Sequence, residues 1–123
     1  MEFKLIIAGG RDFDNKQLML DSLHSLDDSF HRGLPVSFVS GMARGADALA
    51  YQLAKHNNIA CHEFPADWDT YGKRAGFIRN EDMARFADGL LAFWDGQSKG
   101  TEHMIQTMKR MGKPVVVVIY TKE

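Results

Sequence analysis

Five short β-prone runs alternate with amphipathic helical stretches along this chain, and that alternation restricts it to an α/β fold built on a parallel sheet. Residues 3–8 are apolar at nearly every position and are closed by Gly9-Gly10, the pattern of a central strand buried on both faces. Residues 36–39 form the second run, 59–64 a weaker third suited to a sheet edge, 90–94 the fourth and 115–120 the fifth. Asp14 with Gln17 predicts a capped helix start, and Met19, Leu23, Leu26 and Phe30 one apolar helix face ending near Gly33. Ala46, Leu49, Ala50, Leu53 and Ala54 predict the next helix, closed by Asn57-Asn58. A short helix is expected over residues 78–87. The last begins at Thr101, with Met104, Ile105, Met108 and Met111 inward and Gly112 at its C′ position. Right-handed crossovers then place helices on both faces of the sheet. Residues 65–76 have no period and read as a long irregular loop.

Length and charge narrow the function classes. At 123 residues the chain makes one domain, and its net charge of -1 gives no broad field for nucleic acid or membrane. Cys61 is the single cysteine, so no intrachain disulfide forms and a reducing, cytoplasmic setting is expected. The first apolar run is too short for a signal peptide or a membrane span. The five histidines have no zinc spacing with a cysteine, so no metal site is expected.

The loops that follow strands carry most of the unusual residues. In open α/β sheets ligands bind outside the carboxyl ends of the strands, where strand order reverses. The stretch from Val39 through Ser40, Gly41, Arg44 and Gly45 to Asp47 joins an apolar run to a helix start. It lacks the Lys-Ser/Thr pair of a Walker loop and the dinucleotide fingerprint. A tight turn without a ligand and an anion-binding loop on a helix dipole both fit it. Arg11, Arg44, Arg79 and Lys99 are the cationic candidates on this edge. Asp12, Asp47, Asp67, Asp69 and Asp95 share it and suit ribose hydroxyls or a Mg²⁺ ion. The Gly96 turn and the run Ser98, Lys99, Gly100 and Thr101 resemble the first loop, being small, hydroxyl-bearing and opening a helix. Trp68 and Tyr71 suit stacking on a base or covering the loop, whereas Trp94 reads as core and His103 as a surface or packing residue.

Several ordered strings carry a family resemblance. They are Ala8-Gly9-Gly10-Arg11-Asp12, the stretch from Val39 to Asp47, and Phe64-Pro65-Ala66-Asp67-Trp68. Further along stand Ala75-Gly76-Phe77-Ile78-Arg79-Asn80 with Met83, then Phe93-Trp94-Asp95-Gly96-Gln97-Ser98-Lys99-Gly100-Thr101. Together they resemble the YspA-like (cpYpsA-related) family of the SLOG superfamily, which is named for DNA-processing Smf/DprA proteins and the "lonely guy" enzymes. The resemblance implies a single Rossmann-like domain spanning residues 1–123, with five parallel strands ordered 3-2-1-4-5 and a pocket for nucleotide-derived ligands. It adds Gly9, Gly10 and Asn80 to the binding candidates and implies a homodimer in bacteria or their phages.

Three functions follow from the resemblance. The first is a module that senses or sequesters a nucleotide-derived molecule and requires no cofactor. The second is an enzyme that cuts the N-glycosidic bond of a nucleoside monophosphate. "Lonely guy" enzymes carry R-K-x-x-M and P-G-G-x-G-T-x-E-E motifs. Here Arg79-Asn80-Glu81-Asp82-Met83 departs from the first only at Asn80, while His103 and Met104 replace both glutamates of the second. Arg79 and Glu102 are then the catalytic candidates. The third, nucleic-acid binding, is disfavoured by the near-neutral charge.

Overall fold

The computed structural model describes residues 1–121. Its centre is an all-parallel sheet of order β3-β2-β1-β4-β5, as expected. The strands are β1 (Phe3–Gly9), β2 (Val36–Ser40), β3 (Cys61–Glu63), β4 (Gly89–Trp94) and β5 (Val115–Ile119). The helices are α1 (Lys16–Ser25), α2 (Asp28–His31), α3 (Ala46–His56), α4 (Trp68–Tyr71), α5 (Ala75–Phe86) and α6 (Lys99–Arg110).

Strand alternation explains the layers. Phe3, Leu5 and Ile7 point into one core with Met19 of α1 and Ala46 and Ala50 of α3. Ile6 and Ala8 point into the other with Met83 and Ala84 of α5 and Met104 and Met108 of α6. β1 is therefore buried on both faces, and each fully buried Leu or Ile contributes roughly 1.5–3 kcal/mol. At the start of β4 the Phe3 ring comes so close to Gly89 that a Cβ there would sit 2.8 Å from it.

Local chemistry moved several element boundaries. Asn15, not Asp14, caps α1 by accepting from the Leu18 N–H, and Gln17 donates to Asp21 instead of closing a capping box. The expected single helix through Phe30 breaks after Ser25, because Asp27 caps a separate turn by accepting from the Phe30 N–H. Residues 65–76 are more ordered than an irregular loop. Asp67 caps α4, a 3-10 turn (Gly72–Arg74) follows, and α5 begins at Ala75. Ser98 caps α6, which starts two residues before Thr101.

From β1 the chain builds outward through β2 to β3, then crosses back to place β4 on the other side of β1. Strand order reverses between β1 and β4, so the loops leaving these two strands diverge and open a crevice.

Candidate functional site

A cavity of about 640 Å³ opens at that reversal point, on the carboxyl edge of the sheet. Four segments line it: the β1–α1 loop, the start of α3 with the loop before it, the middle of α5, and the β4–α6 turn with the first turns of α6. Ala8, Met83 and Met104 supply apolar lining.

The β1–α1 loop is pinned from three directions. The Gly10 carbonyl accepts from the N–H groups of both Phe13 and Ala46, each at 3.2 Å. Phe13 stacks on Phe93 with ring centroids 4.6 Å apart. The Tyr120 hydroxyl donates to Asp12 at 2.6 Å. This fixed loop presents Arg11 to the cavity, where its side chain has no hydrogen-bond or ion-pair partner among the described residues.

The β2–α3 loop turns its polar groups inward. Ser40 Oγ accepts from the Met42 N–H at 3.1 Å, and Asp47 Oδ2 accepts from the Ala43 N–H at 3.4 Å. Both glycines of this loop are explained by packing. Gly45 has a φ of +81°, and a Cβ there would lie 2.1 Å from the Gly10 carbonyl oxygen. At Gly41 a Cβ would meet Arg79 and Asp47. Asp47 lines the cavity yet is only 6% exposed. Burial pushes its carboxyl up to about 6, against the opposing pull of Arg79 and, more weakly, Arg11.

Helix α5 ties the loops together. Arg79 donates from its guanidinium to the Gly41 carbonyl and from Nε to Asn80 Oδ1 at 3.0 Å. Asn80 Nδ2 donates to the Gly100 carbonyl at 3.2 Å. On the far side, Asp95 accepts from the N–H groups of Gln97 and Ser98, at 2.9 and 2.8 Å. Trp94 is only partly buried, and its indole N–H holds the Ser98 carbonyl at 3.1 Å. The turn therefore aims the positive end of α6 at the cavity. Gly100 stands there with ordinary backbone angles and nothing within 4 Å of where a Cβ would be.

Eleven of the sequence candidates line the cavity: Gly9, Gly10, Arg11, Asp12, Asp47, Arg79, Asn80, Asp95, Ser98, Gly100 and Thr101. Ser40, Gly41, Arg44, Gly45, Trp68, Tyr71, Gly96, Lys99 and Glu102 are not in its wall. Arg44 and Glu102 are exposed, and Trp68 and Tyr71 are 50% and 44% exposed on α4. Sequence reasoning missed Tyr120, whose only signal was its place at the end of a strand. Among the described residues, no group of three or more His, Cys, Asp or Glu is placed to hold a metal ion. No helix there is long and apolar enough to cross a membrane.

Comparison with known proteins covers nearly the whole chain. A family model described as the YspA, cpYpsA-related SLOG family matches residues 3–71. The chain is similar to the Gene 61 protein of Mycobacterium phage D29, at 37% identity over 122 residues, covering 92% of this chain and 94% of that protein. No solved structure matches it.

Proposed function

The chain belongs to the YspA, cpYpsA-related SLOG family, and from that premise we propose that it binds a nucleotide or nucleotide-derived small molecule in the cavity between β1 and β4. One observation carries this reading. Arg11, whose side chain makes no hydrogen bond or close ion pair among the described residues and feels Asp47 only at longer range, and the open N-terminal turn of α6 at Gly100 face the same cavity. Both are donors to an anion such as phosphate. Met83, Met104 and Ala8 offer apolar contact for a sugar or base. The volume lies in the range of small-molecule sites, roughly 300–1,000 Å³.

The hydrolase alternative has weaker support, because exposed Glu102 is absent from the cavity wall. Sensing or sequestering in the cytoplasm remains the fuller form of the proposal, with a homodimer supported by the exposed Trp68 and Tyr71. A titration of ¹⁵N-labelled protein with nucleoside mono- and diphosphates tests the site. The expected result is shifts concentrated at the amides of Arg11, Gly100 and Thr101. Shifts confined to other surfaces, or none at millimolar ligand, would overturn it.

A further inference from the structure

Asn80 is 6% exposed and has every polar atom committed. Arg79 Nε can only donate, so the Asn80 atom 3.0 Å from it is the carbonyl Oδ1. The Gly100 carbonyl can only accept, so the atom 3.2 Å from it is Nδ2. The amide is thereby oriented, and the second hydrogen on Nδ2 reaches His103 Nδ1 at 3.2 Å. That nitrogen must accept, which leaves the ring neutral with its proton on Nε2. The other side of the ring agrees. Thr107 Oγ1 lies 3.5 Å from Nε2 and gives its own proton to the His103 carbonyl at 2.7 Å, leaving lone pairs for the ring N–H. Phe77 stacks on the ring at 4.3 Å and holds its plane.

We propose that His103, as the neutral Nε2–H tautomer, is a positioning residue that orients Asn80 and, through it, the Arg79 guanidinium, so that protonation of one ring nitrogen loosens the anion-binding edge of the cavity. A proton on Nδ1 would oppose two donors across the Asn80 contact. The ring then swings away, or the amide turns and sets its own N–H groups against Arg79 Nε. Either movement takes away the Nε anchor of Arg79 and leaves its guanidinium held by the Gly41 carbonyl and the Asp47 carboxylate, free to pivot about them. The charged groups that face the ring are Glu81 of α5, with Oε2 at 3.9 Å from Nε2, and Arg110 of α6. Burial holds the ring below the usual histidine range, Glu81 pulls it up, and Arg110 lowers it further. The site is therefore set at neutral pH and loosens as the pH falls through the ring's folded value.

The consequence for a bound anion rests on the binding reading above; the tautomer and its coupling to Arg79 do not. Long-range ¹H–¹⁵N spectra of the imidazoles at pH 8 test the first step on the wild-type protein. The expected result is His103 as Nε2–H. A proton on Nδ1 would overturn the proposal. The second step follows the Arg79 Nε–H resonance through an acid titration. It is expected to move with the midpoint of the His103 ring, and to keep doing so in Asp47→Asn, which removes the buried carboxyl beside Arg79. His103→Gln supplies a non-titrating acceptor and is expected to hold Arg79 at its high-pH position throughout. His103→Leu is expected to place it at the low-pH position throughout. An Arg79 resonance indifferent to both variants would overturn the coupling. Inorganic sulfate, added as a probe whose charge is constant over this range, separates the two claims: coupling without any sulfate binding would contradict the anion site alone.

Discussion

Arg79 and Asp47 converge on Gly41: a guanidinium nitrogen and a carboxylate oxygen each lie 2.7 Å from where a Cβ on that glycine would stand. The glycine makes room for a charged pair contributed by two different elements, α5 and α3. The guanidinium can donate to the Gly41 carbonyl only because no side chain stands between.

That relationship separates two substitutions in one loop. Gly41→Ala presses on the far ends of two side chains, which can move. It is expected to cost about 1 kcal/mol or less in stability while displacing Arg79 and weakening ligand binding. Gly45→Ala presses on backbone, at a residue whose φ is +81°. It is expected to cost several kcal/mol, on the order of 3 or more. Urea denaturation of both variants checks the contrast, and equal losses would contradict it.

Asp47 also makes stability depend on pH. Its folded value of about 6 lies above the ordinary 3.8, so the folded protein holds this proton more tightly than the unfolded chain does. The stabilising contribution is full below about 3.8 and is lost as the pH rises through 6. The difference corresponds to about 3 kcal/mol at most. Asp47→Asn keeps an acceptor for the Ala43 N–H and removes the buried charge. At pH 7 the variant is expected to be more stable than the parent by on the order of 2 kcal/mol, with the gap closing towards pH 4. Melting curves across that range would refute this if the gap were constant.

Gly100 gives a test in which stability and binding move in opposite directions. Nothing in the fold requires a glycine there, since its φ is not positive and the space beside it is open. Gly100→Ala is expected to stabilise α6 by roughly 0.5–1 kcal/mol. The same methyl would occupy the approach to the helix N-terminus and lower ligand affinity. A variant that is more stable and binds unchanged would remove this turn from the site.

The two arginines of the glycine loops are expected to behave differently. Arg11 lines the cavity, whereas Arg44 is exposed and lies outside its wall. Loss of a charge-assisted hydrogen bond costs about 1.5–3 kcal/mol, so Arg11→Ala is expected to weaken binding of a phosphate-bearing ligand roughly tenfold or more. Arg44→Ala is expected to change affinity less than about twofold. Isothermal calorimetry of the two variants reads this directly, and the reverse ranking would contradict the placement of the anion.

The sheet was legible because β1 carries its burial pattern residue by residue: apolar on both faces, then Gly9-Gly10. The carboxyl-edge location followed from the same alternation of strands and helices. Individual site residues were harder to assign. Arg44 and Gly45 stand beside each other in a glycine loop that looks like a phosphate cradle. Only the folded chain reveals that Asp47 and Gly10 already occupy donors of that loop. Asp27 and Asp67 were unreadable as caps because a short acid before a polar turn competes equally well for loop and helix. The Tyr120–Asp12 contact spans 108 positions, and no local pattern announces a pairing at that distance.

The most direct measurement is native mass spectrometry of the purified protein, alone and after incubation with a mixture of nucleotides. The expected result is a stoichiometric complex whose added mass equals one intact nucleotide-derived molecule, lost in Arg11→Ala. An unliganded protein with free base and sugar phosphate accumulating in the mixture would contradict it and make the chain a hydrolase.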